Sequence, residues 1–435
     1  MRVPFIFVLA LLSCPGPLTK SEAQAQTIAA ISPQLVQRAD DVLRLLRGEE
    51  IEGQVFDENF RNAVPPEQFR SLVRHVTAQH GQPHEIASIA PRSANSAILK
   101  VRFEKAVGTI TIDLENLPLH RVSGLLLTGF EAAGNSLDEV VAAIDALPGR
   151  QGLLIRQLGS DDHPPLAALD PEGRYAIASS FKLYILAELD RAVRAGERKW
   201  SDVVRLGPKS HPSGISQNWP DGSPVTLHTL ATLMISISDN SATDTLIRVI
   251  GQDKLARIVE ATGHHNPDEL RPLLMTRQAS ALKMPEHASG RGKYLAASPA
   301  ERKKLLTEFD RALTLDSIDP RILTSEPHHI DQLEWFASPA DMVGLLAYLH
   351  RNASEQTREI LAINPGIGPD AARKWDYLGY KGGSEPGVLS YNFLLRSKKG
   401  DVYAVSVNWN NRDQSLQESE LLALTTRLVN LLGEQ

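Results

Sequence analysis

The sequence predicts two domains. The first is an α+β unit of helices followed by a half-buried antiparallel sheet. The second is an α/β sandwich in which helices cover both faces of another antiparallel sheet. Three observations carry this reading. The chain of 435 residues is long for a single core. Its first part runs through helical segments and then four alternating strands. The remainder begins and ends on strands with a helical middle, so its sheet is built from both ends of the domain.

Ahead of these domains, Met1-Arg2 is a short positive segment and Phe5 to Leu12 an apolar run of eight residues, followed by Ala23-Gln24-Ala25, a small-x-small cleavage site. Eight apolar residues are too few to span a bilayer. Residues 1–25 are therefore expected to be a cleaved signal peptide, which would place the mature protein in the periplasm or outside the cell. Leu11-Leu12-Ser13-Cys14 loosely resembles a bacterial lipoprotein box, and a lipid anchor on Cys14 is the competing expectation. Its apolar run is short and Pro15 follows directly, so plain export is preferred. Cys14 is the only cysteine, which excludes a disulfide framework and a cysteine-based metal site. A net charge of −6 gives no electrostatic case for nucleic acid. Phosphate-binding glycine loops and internal repeats are absent from the sequence.

The first domain is expected over 27–147. Residues 33–47 carry apolar positions at helical spacing, with Ser32 as the cap. The short segment FDENFRNAV follows at 56–64. PPEQFRSLVRHVTAQHG then reads as a helix with proline at its start and Gly81 at its end. HEIASIA, SAILKVRFE, GTITIDLE and VSGLLLTGF alternate as strands of a curved antiparallel sheet with one buried face. This order of elements is similar to the NTF2/ketosteroid-isomerase fold. It contains no convincing acid–base pair, so a structural or docking role is expected of it. A helix over 136–147 follows, and Pro148-Gly149 closes it as the domain boundary. The second domain, 150–435, opens with the strand GLLIRQL, the polar hairpin GSDDHPP, a second strand and a helix at AIASSFKLYILAEL. Helical segments run to about residue 350. The strands YLGYKGG, VLSYNFLLRS and DVYAVSVNW and the helix ESELLALTTRLVNLL end it.

Ser179 and Lys182 stand three apart where that helix begins, so both project from one side. Serine is also a common helix cap, and one or two S-x-x-K matches arise by chance in roughly 400 residues. A second match is Ser280 to Lys283. Ser238-Asp239-Asn240, 59 residues after Ser179, reads alone as a turn. Lys381-Gly382-Gly383, with Ser384 next, reads alone as a strand end. Taken in order on a helix, a loop and a strand, the three form one set. Ser280 to Lys283 has no S-D-N or K-x-G at matching distances behind it and is set aside. A serine hydroxyl needs a base within reach, and lysine serves only when burial and a second cation lower its pKa.

Over roughly 150–435 this set, with its flanks ATLMISISDNSATD and KGGSEPGVLSYNF, resembles the class A β-lactamase family of penicillin-recognising serine enzymes. The resemblance implies that Ser179 attacks a carbonyl while Lys182 takes or positions its proton. Ser238 then relays a proton to the leaving nitrogen, and Lys381 orients Ser238 and attracts a substrate carboxylate. Asn240 would bind the substrate amide and Lys182, and the N–H groups of Ser179 and Ser384 would form the oxyanion hole. Gly382 and Gly383 would let substrate lie against the strand. The expected partner is a small-molecule substrate, a β-lactam, peptide or ester, with no cofactor. Two departures stand out. The glutamate–asparagine pair that activates the deacylating water is not recognisable over 264–283, where Glu269 is the nearest carboxylate and Gln278 a polar residue that cannot act as a base. The usual K-T-G is K-G-G. With the extra N-terminal domain, the chain is similar to the two-domain cephalosporin-esterase-like proteins of clavulanic-acid gene clusters. Efficient β-lactam turnover is therefore not expected. A DD-peptidase-like enzyme or a β-lactam sensor on the same residues are the alternatives. His264-His265 and His328-His329 lack H-x-x-x-H spacing, so no metal is expected. Trp219 reads as a loop-packing aromatic.

Overall fold

A computed structural model describes residues 31–132, 136–159 and 164–433. The expected signal peptide, Cys14 and most of the GSDDHPP hairpin lie outside the described residues. The chain divides into two compact units, up to residue 133 and from 134 onward.

In the first unit, α1 (Pro33–Leu46) starts at Ser32, whose hydroxyl accepts the Leu35 N–H. α2 (Pro66–His80) starts on proline and stops at Gly81, where φ is +78° and a side chain would be strained. β1 (Pro83–Ser93), β2 (Ser96–Phe103), β3 (Ala106–Leu114) and β4 (Val122–Ala132) form an antiparallel meander in that order. Ala97, Leu99, Val101 and Phe103 of β2 alternate inward and pack with Leu35, Val42, Phe69 and Val73 of the helices. The alternation read in the sequence is thus the one-sided burial of this sheet.

The second unit begins earlier than expected. α3 (Leu137–Asp145), capped by reciprocal Ser136–Glu139 bonds, belongs to it rather than to the first domain. Its Val140 and Ile144 pack with Leu421, Leu428 and Val429 of the C-terminal helix, so the boundary at 148–149 is corrected to the segment before α3. The polar Pro148-Gly149 turn had suggested a domain edge, but it is only the hinge between that helix and β5 (Arg150–Leu158).

The strands β6 (Ala167–Leu169), β9 (Tyr377–Glu385), β10 (Val388–Arg396) and β11 (Val402–Asn410) join β5 in one antiparallel sheet, ordered β9-β10-β11-β5-β6. The short strands β7 (Tyr175–Ala176) and β8 (Phe336–Ala337) pair separately. α3 and α11 (Glu418–Gly433) cover one sheet face. α4 (Lys182–Arg194), α5 (Leu227–Ser236), α7 (Gln252–Ala261), α9 (Pro339–Asn352) and α10 (Glu355–Ala362) share the core of the other face. Residues 388–395 of β10 are all buried, as a strand sandwiched between two helical layers must be. The expected sandwich is the observed fold. β9 is an edge strand, and the active-site candidates gather along it.

Candidate active site

Ser179 lies in a 3-10 turn, Ala178–Phe181, that leads into α4. It does not cap a helix: no side-chain cap bond starts either the turn or α4. Ala178 takes φ +41° and Ser238 takes φ +58°, conformations that cost a non-glycine residue on the order of 1–3 kcal/mol. Both outliers border one cleft of about 330 Å³, which Ser179, Ser238, Asn240, Lys381, Gly382, Gly383 and Ser384 line together. The turn is held by the Phe181 ring stacked on Trp335, centroids 4.0 Å apart.

Lys182 is fully buried and donates to Ser238 O at 2.7 Å, Ser238 Oγ at 3.0 Å and Asn240 Oδ1 at 2.7 Å. Lys381 Nζ approaches the same Ser238 Oγ at 3.1 Å. One hydroxyl is therefore flanked by two amines. Burial above all, and then the Lys381 charge, push the Lys182 ammonium well below its ordinary value. Burial lowers Lys381 to about 7. A neutral Lys182 keeps two N–H donors, enough for Ser238 O and Asn240 Oδ1, and frees a lone pair for a hydroxyl proton. The loop carrying Ser238 is fixed by Asp239, whose carboxylate accepts from Ile215 N, Ser216 N, Ser216 Oγ and Ala242 N at 2.6–2.8 Å. Asp239 thereby caps α6 (Asn240–Ile250).

The two glycines line the cleft and are also required by packing. A Cβ on Gly383 would stand 2.7 Å from Ser179 N and 2.8 Å from Ser180 N, so this glycine admits the Ser179 turn against β9. A Cβ on Gly382 would collide with the Tyr380 hydroxyl. Neither clash involves open cleft. Beneath the turn the sheet is polar: Asn392 Nδ2 donates to Ser180 Oγ at 2.9 Å and to Ser390 Oγ at 3.0 Å. The recurring Ser-x-Asn of Ser390/Asn392 and Ser406/Asn408 on adjacent strands could have signalled this layer.

Glu269 is elsewhere. It accepts from Arg174 Nε at 2.7 Å and lines a separate small cavity with that arginine. Gln278 Oε1 accepts the Met275 N–H at the start of α8 (Thr276–Lys283), and Gln278 does not line the cleft. α8 instead presents Thr276, Ala279, Ser280 and Lys283 to it. Asp244 anchors α8 by accepting from Thr276 N at 2.7 Å and Arg277 N at 3.0 Å, and its burial raises its carboxyl to about 6. The second S-x-x-K thus shares the cleft with the first. Its lysine is bound by Glu334 and by Glu385, whose oxygens lie 2.7 and 2.9 Å away, and these partners raise its pKa despite burial. Lys283 stays an ammonium and cannot take a proton from Ser280.

The histidine pairs are not gathered as ligands. His264 is buried between Phe336 O, 3.0 Å from Nε2, and the Asn266 N–H, which its Nδ1 accepts. Among the described residues, no group of three or more His, Cys, Asp or Glu is placed to hold a metal. Trp219 packs at the edge of the core and does not line the cleft. No described helix is long and apolar enough to cross a membrane.

The profile of the beta-lactamase enzyme family matches residues 135–420. A search of curated proteins gave no match. Among solved structures, a beta-lactamase from Sphaerobacter thermophilus DSM 20745 is 22% identical over 69% of this chain and 96% of its own, with a TM-score of 0.46. A structure of PBP-A is 16% identical over 68% and 95%, with a TM-score of 0.47. An ancestral class A beta-lactamase is 16% identical over 68% and 98%, with a TM-score of 0.47.

Proposed function

The chain belongs to the beta-lactamase enzyme family, and from that premise we propose that it is an exported serine hydrolase acylated at Ser179 by β-lactams or related amides and esters. One observation carries the reading: Ser238 Oγ stands 3.0 Å from the Lys182 amine and 3.1 Å from the Lys381 amine, beside Ser179 in one cleft. In the proposed reaction neutral Lys182 accepts the Ser179 proton as Oγ attacks the carbonyl. The proton passes through Ser238 to the leaving nitrogen as the C–N bond breaks. Lys381 orients Ser238 and meets the substrate carboxylate, and Asn240 holds Lys182 and the substrate amide. The N–H groups of Ser179 and Ser384 are assigned to the oxyanion, where losing one donor costs roughly 10²–10³ in rate.

A long-lived acyl-enzyme, as in a β-lactam sensor, is the second reading, and the cleft's carboxylates favour it. Glu334 and Glu385 are both engaged by Lys283. Glu418 begins α11, which covers the sheet face opposite α4. None is a free base beside Ser179. For the N-terminal unit, helices followed by an antiparallel meander support the NTF2-like reading, with a structural or docking role. Export rests on residues 1–25 alone. Intact-protein mass spectrometry with a penicillin, a cephalosporin and a simple ester, followed over time, tests the whole reading. One acyl adduct per chain, lost in Ser179→Ala, is expected. Adducts that survive Ser179→Ala would overturn it, and prompt loss of the adduct would favour a turning-over enzyme over a sensor.

A further inference from the structure

β9 carries opposite charges on either side of the nucleophile. Lys381, Gly383 and Glu385 alternate along the strand and so share one face. Gly383 backs onto the Ser179 turn. At ~3.3 Å per residue, Lys381 and Glu385 stand roughly 13 Å apart with Ser179 opposite the midpoint. On the Lys381 side are Ser238 and, in the proposed reaction, the leaving group's carboxylate. The Glu385 side is therefore the acyl side.

There, two carboxylates share one ammonium. Lys283 and Glu334 have side chains only 4% and 1% exposed, whereas Glu385 is 24% exposed and borders the cleft. Lys283 directs its N–H groups to the two glutamates, so the cluster offers acceptors to a ligand, not donors. Burial above all, and then the Glu385 charge, push the Glu334 carboxyl well above the usual carboxylate range, as expected where two carboxyl groups share a single cation.

We propose that Glu385, positioned by Lys283 and Glu334, binds a cationic group, a primary ammonium, on the acyl portion of the substrate. The preferred substrate then bears a carboxylate on its leaving group and an ammonium on its acyl arm. This rests on the reading of Ser179 as the nucleophile and of Lys381 as the carboxylate anchor.

Two penicillins sharing one nucleus test it, one with an aminopentanoyl arm and one with a hexanoyl arm that replaces the ammonium by methyl. Wild type should be acylated faster by the amine by about tenfold, the scale of one charge-assisted hydrogen bond. In Glu385→Gln that ratio should fall close to one. A merely structural loss would slow both compounds alike and keep the ratio, which would overturn the proposal, as would equal rates in wild type. Calorimetric binding of the unreactive arm, aminopentanamide, reports on the cation site separately from acylation. It should weaken about tenfold in Glu385→Gln. Unchanged affinity would overturn the cation site. Weakened affinity with no acylation by either penicillin would uphold it and sink the hydrolase reading instead.

Discussion

The cleft holds the same tetrad twice, Ser179 to Lys182 and Ser280 to Lys283, and the two lysines have opposite chemistry. Both are buried. Lys182 meets a hydroxyl, a carbonyl and an amide oxygen, none of them charged, and a second cation faces the same hydroxyl. Lys283 meets two carboxylates. Burial disfavours charge in both, but only Lys283 has Coulomb partners strong enough to reverse it. A motif spacing places a serine beside a lysine. The charge of the lysine's other neighbours decides whether it is a base or a structural ion.

The largest expected effect separates the two serines. Ser179→Ala should abolish labelling by a fluorescent penicillin, while Ser280→Ala should label like wild type; labelling lost in both would erase the distinction. The lysines should then fail in different ways. Lys182→Met should slow acylation by about 10²–10⁴, the usual contribution of a positioned base. Lys283→Met should instead cost stability, because it strands Glu334. About 3 kcal/mol is expected, the low end for a broken buried pair, since Glu334 can take up a proton. Denaturant unfolding measures it. A Lys283→Met protein with normal stability but no acylation would show that the second lysine is catalytic after all.

How much of this was legible in the sequence follows the same contrast. Ser179–Lys182, Ser238–Asn240 and Lys381–Ser384 are each local, and their order along the chain carried the fold and the reactive set. The Lys283–Glu334–Glu385 cluster was not legible, because its members lie 51 and 102 residues apart in pairs that only folding creates. Asp244 was hidden likewise, since its partners Thr276 and Arg277 stand 32 and 33 residues on. Gly382 and Gly383 were legible as glycines but their packing was not, because Gly383 admits a turn two hundred residues earlier and Gly382 makes room for the Tyr380 hydroxyl. The boundary at 148–149 misled because a turn sequence reports a bend, while the allegiance of α3 is decided by Leu421 and Leu428, far along the chain.

A smaller effect sharpens the difference between Lys381 and the permanently charged Lys283. Lys381 sits at about 7 when folded, well below an unfolded lysine. Raising pH through about 7 therefore removes the charge proposed to anchor a substrate carboxylate. Acylation by anionic β-lactams should fall across this window relative to a neutral ester, and Lys381→Ala should penalise the anionic substrates more. Equal pH profiles for the two substrates would remove the anchoring role. The linkage to stability has a defined sign. Between about 7 and 10 the unfolded state binds the Lys381 proton and the folded state does not, so this group makes stability rise with pH. Lys381→Met should flatten that rise in denaturant titrations.

The smallest effect concerns Glu269, the carboxylate that sequence position alone would nominate for deacylation. Its carboxylate is tied to Arg174 on the wall of another cavity, and α8 presents Thr276, Ala279 and Ser280 to the cleft. In the proposed reaction acylation and deacylation need different bases, because Lys182 and Ser238 serve the leaving nitrogen. With no free carboxylate beside Ser179 among the described residues, deacylation is expected to lack a general-base contribution of about 10²–10⁴. Nitrocefin should therefore show a burst of one equivalent and then a much slower steady rate. Glu269→Gln removes only a partly exposed ion pair, worth about 0–1 kcal/mol, and should leave the slow rate within about twofold. Rapid turnover without a burst, abolished by Glu269→Gln, would mean that Glu269 reaches the acyl-enzyme after all. The contrast between the two lysines would then no longer account for slow release.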